Sequence, residues 1–341
     1  MSRSDYMEFV TGATSDTWHP VATVNTTIAS YWLNWRFLIC AFWVVVSTII
    51  ASTLVWKYEK CAGAKARVEG EDNKDEAEGE EAALYDDETW RPCLRGIHPA
   101  WLLAFRVCAF FALLVLLVFG VLLDGASLFY YYTQWTFTLV TIYFGLGVML
   151  SIHGCLVYHK RTSGDKVGNV ELDAEQGQSP VAQTAHNARQ PADKWGYAFQ
   201  IIFQMNAGAV MLTDCVFWFI LVPFLAIKDY NLSPLTISMH SMNAVFLLGD
   251  TAMNSMRFPW FRIAYFFAWT IVYVLFQWIV HACFEIWWPY PFLDLSSSYA
   301  PLWYFTVGVM QLPCYGIFAF IVKSKHSLFS KWFPDSYQGL R

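Results

Sequence analysis

One titratable side chain, His240, lies within an apolar stretch of this sequence and belongs to a stripe of polar residues. At about 100° per residue, the members of the stripe fall within about 80° of one another on one helical face. Neutral imidazole is the usual base that activates a hydroxyl nucleophile. The stripe therefore predicts a site of nucleophilic chemistry or, alternatively, a row of interhelical hydrogen bonds. Its members are Thr236, His240, Asn243, Asp250 and Asn254.

A threonine in another apolar stretch could supply the nucleophile. Thr138 would lie about 6 Å below the outer end of its helix, and His240 about 10 Å below the outer end of its own. We expect Thr138 to attack an ester carbonyl while His240 transfers the proton, with Thr136 as the neighbouring candidate. A threonine in a membrane helix can equally bond its own i−4 carbonyl. The expected supporting groups are Asn243 and Asp214, which could fix the tautomer of the imidazole, and Gln277 and His281, which with Asn243 could stabilise an oxyanion.

Two other uses of these polar groups are open. His240 and His281 could together ligate a haem, although their match in depth is loose. Asp214 and Asp250 could line a proton or ion pathway, but the sequence offers no obvious partner for them on a neighbouring stretch. We therefore expect neither a cofactor nor a metal.

These side chains must be positioned by membrane helices. Of the 341 residues, 56% are hydrophobic, 18% are aromatic and only 14% are charged. An all-α bundle of seven transmembrane helices is expected, because the chain contains seven apolar stretches of about 20 residues or more. They cover residues 37–56, 100–123, 134–157, 196–226, 235–254, 260–283 and 302–323.

The distribution of Lys and Arg predicts the orientation. With seven spans, 18 of the 22 basic residues fall on one side, 3 fall on the other and Arg106 lies inside a span. The positive-inside rule then places the N-terminus in the lumen or outside the cell and the C-terminus in the cytosol. Two N-x-S/T sequons, at Asn25 and Asn231, also lie on the non-cytosolic side. The endoplasmic reticulum and the plasma membrane both fit this prediction.

The domain organisation follows from these spans. No P-loop, G-x-G-x-x-G motif, zinc-ligand spacing or basic stripe is present, so we expect membrane lipid rather than nucleic acid as the partner. The expected segments are an outer tail (1–36), an additional helix (37–56), an acidic disordered cytosolic loop (57–99), a six-helix core (100–323) interrupted by a disordered cytosolic loop (158–195), and a cytosolic tail (324–341).

From the fifth span onward the sequence resembles the androgen-induced family of membrane hydrolases and, more broadly, the rolling stone family, as a plant-type member. His240, followed by Asp250 ten positions later and Pro259 nineteen positions later, carries the most specific part. The similarity extends over residues 100–323. The other matching residues are Trp135-Thr136-Phe137-Thr138, Phe217-Trp218, Tyr273, Trp278, His281 and Tyr290-Pro291-Phe292-Leu293-Asp294.

The resemblance implies an activity. The androgen-induced branch hydrolyses fatty acid esters of hydroxy fatty acids through a threonine nucleophile on one helix and a histidine on another. Carried onto this chain, the histidine is His240. The threonine is best placed at Thr138, but alignment on Trp135 puts Leu139 at that position and only a shift of one residue restores Thr138. The rolling stone branch is associated with cell fusion, so the alternative is a non-catalytic protein of adhesion, trafficking or signalling.

Overall fold

A computed structural model describes residues 24–65, 85–172, 192–222 and 234–338. The regular structure in these ranges is helical, apart from two isolated bridges, and six helices in them are long and apolar enough to cross a membrane. The predicted all-α class is confirmed, and the six helices fit a multi-pass membrane protein. The long helices are α1 (Trp35–Lys65), α2 (Pro99–Asp124), α3 (Tyr132–Leu172), α4 (Lys194–Val216), α5 (Pro234–Met253), α6 (Ile263–Cys283) and α7 (Ala300–Trp332).

Helix α5 carries the polar stripe and is not among those six, so the count of seven spans is not confirmed. It lies antiparallel along α2. Near its start Met239 packs over Gly120, and near its end a Cβ added at Gly249 would lie only 2.5 Å from Cζ of Phe105. Glycine at these positions lets the two helices approach closely.

Contacts between helix ends define the two ends of the bundle. At the upper end, where α1 and α7 begin and α6 ends, Tyr31 donates a hydrogen bond of 2.7 Å to Asp294. At the lower end, where α5 ends and α2 begins, the backbone N–H of Cys93 donates to the carbonyl of Met253 at 2.8 Å. The Lys325 ammonium on α7 donates to the carbonyls of Thr251 and Asn254, both at 2.9 Å, and so caps the C-terminal end of α5.

The predicted loop boundaries are wrong in three places. Helix α1 continues to Lys65, α3 continues past residue 157 to Leu172, and α7 continues past residue 323 to Trp332. Hydropathy reports where apolar residues stop, whereas a helix continues as long as its backbone bonds are satisfied. The remaining parts of the two predicted disordered loops, 66–84 and 173–191, lie outside the described residues.

The last part of the predicted acidic loop, residues 85–98, is folded. Residues 85–98 lie against the lower end of the bundle, where Trp90 is 3% exposed. A Cβ added at Gly154 on α3 would lie 2.1 Å from Cγ of Trp90, so only glycine admits the indole there. Glu88, 3% exposed, pairs with Arg257 at 3.2 Å. Charged composition alone did not reveal this segment, because the partner of Glu88, Arg257, is distant in sequence.

Candidate functional site

His240 lies in the upper half of α5 and faces α4. Its ring stacks on Phe217, with 3.6 Å between the ring centroids and an interplanar angle of 5°. Its Nδ1 atom lies 4.0 Å from Oδ1 of Asp214, which is slightly too long for a hydrogen bond. The residue is 8% exposed. The stack fixes the plane of the imidazole, and that plane directs Nδ1 toward the carboxylate.

Asp214 and Phe217 occupy an irregular part of the chain. Helix α4 passes into a π-helical turn at Phe217–Leu221. The backbone N–H of Phe217 bonds the carbonyls of Asp214 and Thr213. Single π-helical turns are rare and occur frequently at functional sites, because they reorient side chains that a regular helix would place elsewhere. The π-helical turn explains how the carboxyl group of Asp214 and the ring of Phe217 can both face the imidazole of His240.

Buried polar atoms without a hydrogen-bond partner among the described residues concentrate between α3, α4 and α5. Such atoms cost free energy unless water or a ligand binds them, and each one in a folded protein calls for an explanation. Eight of them lie on these three helices, which form a wedge around His240. They are Oε1 of Gln134, Oγ1 of Thr136 and of Thr138, Oδ1 of Asn206, Oδ1 of Asp214, Nδ1 of His240, and both amide atoms of Asn243.

The two candidate threonines lie on opposite faces of α3. Thr136 shares a face with Tyr143, about 20° away, and Tyr143 stacks on Phe199 of α4 at 4.5 Å. Thr138 lies about 20° from Gly145, whose missing side chain admits Phe110 of α2. Thr136 therefore faces α4, whereas Thr138 faces α2 and lies one turn after Gln134, which contacts Met239 of α5.

The positions of the two threonines along the bundle axis also favour Thr136 as the nucleophile. Helices α3 and α5 both run from the upper to the lower end, and Nε2 of Gln134 contacts Sδ of Met239 at 3.4 Å. With a rise of about 1.5 Å per residue from this contact, Thr136 lies within about 2 Å of the level of His240. Thr138 lies about 4.5 Å below that level, beside Asn243. The sequence does not reveal this contact, so it could not decide between Thr136 and Thr138 as the nucleophile.

The remaining predicted groups are differently placed. Asn243, one turn below His240, is fully buried. His281 has both ring nitrogens within bonding distance of backbone carbonyls, those of Gln277 at 2.8 Å and Trp287 at 3.3 Å. Gln277 donates to the carbonyl of Tyr130 at 2.7 Å. His281 and Gln277 thus connect α6 to two connecting segments, and the structure shows no contact between either of them and His240.

An ion pair in the lower half of the bundle was missed by sequence reasoning. Arg106 on α2 and Asp250 on α5 are both fully buried and lie 2.7 Å apart. Tyr143 donates to Asp250 at 2.5 Å, and Asn254 donates to it at 2.9 Å. Arg106 also donates to Ser151 of α3 at 2.8 Å. The available signal was an arginine inside an apolar span, which requires a partner. Asp250 therefore joins α5 to α2 and α3, and Asn254 bonds the same carboxylate.

Among the described residues, no three His, Cys, Asp or Glu side chains form a cluster that could hold a metal. No family model, curated protein or solved structure matches this chain. The likeness to the androgen-induced and rolling stone families remains a prediction from the residues quoted above. The geometry around His240 must therefore carry the functional argument.

Proposed function

We propose that the protein is an intramembrane hydrolase of lipid esters, of the type formed by fatty acids and hydroxy fatty acids, with a threonine nucleophile and His240 as its base. The observation that carries the proposal is the orientation of the His240 ring. Nδ1 faces Asp214 at 4.0 Å, Phe217 holds the ring plane, and Nε2 makes no hydrogen bond to a described residue. A carboxylate at one nitrogen and a free second nitrogen is the arrangement that lets imidazole deprotonate a hydroxyl.

The reaction would proceed in two halves. Nε2 of His240 removes the threonine proton as the hydroxyl oxygen attacks the ester carbonyl, and the same nitrogen then protonates the departing alkoxide oxygen. The resulting acyl-threonine is cleaved by a water molecule that His240 deprotonates. Asn243, with an amide nitrogen that lacks a partner, can donate to the oxyanion of each tetrahedral intermediate. Asp214 would hold the tautomer that leaves Nε2 unprotonated once the 4.0 Å separation from Nδ1 shortens to a hydrogen bond.

Thr136 is the better supported nucleophile. It is fully buried, it lies on the face of α3 that packs against α4, and the helical rise places it close to the level of His240. Thr138, which the sequence favoured, lies on the face toward α2. Whichever threonine is the nucleophile, apolar walls would hold the acyl chains of the substrate.

We further propose that α5 is a seventh membrane crossing. Its 20 residues extend about 30 Å, which matches the hydrocarbon thickness of a bilayer. Along this length it follows α2 from Gly120 down to Arg106. A seventh crossing places the N-terminus in the lumen or outside the cell and the C-terminus in the cytosol, and it opens the His240 site toward the non-cytosolic side of the endoplasmic reticulum or plasma membrane.

The other candidate is a non-catalytic protein of adhesion, trafficking or signalling. The lower part of the stripe favours it, since Asp250 bonds Arg106 of α2 and the carbonyl of Asn254 accepts a bond from Lys325 of α7. A purified preparation separates the two functions. A hydrolase hydrolyses members of a lipid-ester panel and takes a serine- and threonine-directed fluorophosphonate label, and His240→Gln loses both. Wild-type protein that folds but does neither would refute the enzyme.

A further inference from the structure

A groove at the upper half of the bundle lies apart from the His240 site. Helices α1, α6 and α7 and the short helical turn Pro291–Leu293 line it, and none of its lining residues comes from α3, α4 or α5. Its volume is about 500 Å³, counting the space at its open side. Apolar and aromatic side chains form most of the wall, including Trp43, Phe267 and Val274. Because these helices belong to the membrane-spanning set, the groove opens onto lipid.

The groove contains three polar side chains at one depth. Ser47 lies 12 residues into α1, and Gln311 lies 11 residues into α7. Thr270 lies 13 residues before the end of α6. At about 1.5 Å per residue, all three are about 16–20 Å below the upper helix ends, near the middle of a bilayer. Polar groups at this depth are costly unless they are bonded.

Gln311 is only partly bonded. It is 3% exposed, and its Oε1 atom accepts a bond of 3.5 Å from Thr270. Its amide nitrogen makes no hydrogen bond to any described residue, and neither does the hydroxyl of Ser47. Thr270 is itself engaged with Tyr132 at 3.0 Å. Two groups able to donate hydrogen bonds therefore remain free within an apolar groove at mid-bilayer depth.

We propose that this groove binds a single acyl chain that carries a hydroxyl or keto oxygen near its middle. Such an oxygen accepts the bond that Gln311 or Ser47 offers, and the hydrocarbon on either side packs against the aromatic walls. An unmodified acyl chain has no acceptor at this depth. A sterol places its hydroxyl at the membrane surface, so it would leave the amide unpaired.

The chain offers a matched pair of variants for the test. Gly308 lines the groove and Gly316, on the same helix, does not. A Cβ added at either glycine would meet no atom within 4 Å. Gly308→Leu therefore places its Cβ without a clash and adds side-chain volume at the groove, and Gly316→Leu controls for the added side chain.

The experiment uses the full-length protein in phosphatidylcholine nanodiscs. A photoreactive stearoyl probe with a mid-chain keto group is compared with the same probe without the oxygen, and crosslinked peptides are mapped by mass spectrometry. We expect the keto probe to label α1, α6 and α7 about fivefold more strongly, the ratio that one net hydrogen bond provides. Gly308→Leu should abolish the labelling, Gly316→Leu should keep it, and the double variant Gln311→Leu/Ser47→Ala should reduce the ratio to near one.

Equal labelling by both probes in the wild type would overturn the proposal, as would labelling that survives Gly308→Leu. Labelling confined to α3, α4 and α5 would also overturn it. Thermal unfolding of each variant shows that loss of labelling does not reflect loss of fold. Because binding is measured without turnover, the outcome does not depend on whether the hydrolase proposal holds.

Discussion

The guanidinium of Arg106 and the carboxylate of Asp250 form an ion pair of 2.7 Å in which both side chains are completely buried. The pair joins α2 to α5, and Tyr143 bonds the same carboxylate from α3. It lies below the His240 site on the same helix. The hydrogen bonds and the ion pair of its lower half thus hold α5 in position. The bundle can therefore stay stable although polar groups in the wedge around His240 have no hydrogen-bond partner.

Breaking this pair from one side should destabilise the protein strongly. Arg106→Leu leaves the charge of Asp250 buried without its partner, which costs about 3–5 kcal/mol in the free energy of unfolding. The double variant Arg106→Leu/Asp250→Leu should regain much of that loss, because no buried charge remains. Thermal unfolding of both single variants and the double variant measures the coupling. If the free energy of unfolding lost by the double variant equals the sum of the two single losses, the two residues act independently.

The two threonines form a second test. Thr136→Val and Thr138→Val each replace a hydroxyl by a methyl group of similar size. We expect Thr136→Val to abolish ester hydrolysis and fluorophosphonate labelling, and Thr138→Val to retain both. The reverse pattern would restore the assignment that the sequence favoured, and would show that α3 is rotated relative to α4.

Asp214 should act through His240 rather than on the substrate. Asp214→Asn keeps the size of the side chain and replaces the carboxyl group that faces Nδ1 by an amide. We expect kcat to fall and KM to remain near its wild-type value, because orientation of the base matters in the transition state. His240→Gln should lower kcat by about 100–10,000-fold, the usual contribution of a general base. A loss confined to KM would instead assign Asp214 to substrate binding.

Packing around α4 provides a prediction independent of function. A Cβ added at Gly208 would lie 2.3 Å from Cδ1 of Phe266, which is fully buried on α6. Gly208→Ala should therefore destabilise the fold by about 1–3 kcal/mol. Gly316→Ala is the control, since its Cβ meets open space. Equal melting temperatures for the two variants would show that α4 and α6 separate easily.

Topology can be measured directly. With α5 as a crossing, epitope tags at the N- and C-termini should be accessible from opposite sides of the membrane. Asn25, which is exposed, should carry an endoglycosidase-sensitive glycan that Thr27→Ala removes. Tags accessible from the same side would mean that α5 enters the bilayer without crossing it. The second sequon, at Asn231, lies outside the described residues.

The folded segment below the bundle is open to a chemical test. Burial raises the pKa of the Cys93 thiol, and nearby Lys325 opposes this only in part. Alkylation by iodoacetamide requires the thiolate, so it should be slow at pH 8 and accelerate only well above the ordinary thiol pKa of about 8.5. Gln338→Pro removes the N–H that bonds the Cys93 carbonyl at 2.9 Å and should speed labelling. Loss of labelling in Cys93→Ser would show that the label is on Cys93. Rapid labelling of the native wild-type protein would contradict the packing of residues 85–98 against the bundle.

The sequence alone determined the class of this protein and the face on which its polar groups lie. Composition required a helical membrane protein, because only helices or closed barrels satisfy the backbone in hydrocarbon. The periodicity of α5 placed His240, Asn243 and Asp250 on one face.

Tertiary structure decided which groups meet. Sequence cannot give the rotation of one helix against another, so only the contacts of Tyr143 and Gly145 separate Thr136 from Thr138. The partner of Asp250 was equally hidden, because Arg106 is 144 residues away along the chain. The orientation of His240 depends on a π-helical turn that no local signal announced. The type of a single residue determines what chemistry its side chain can perform, whereas a functional site depends on how helices distant in sequence pack together.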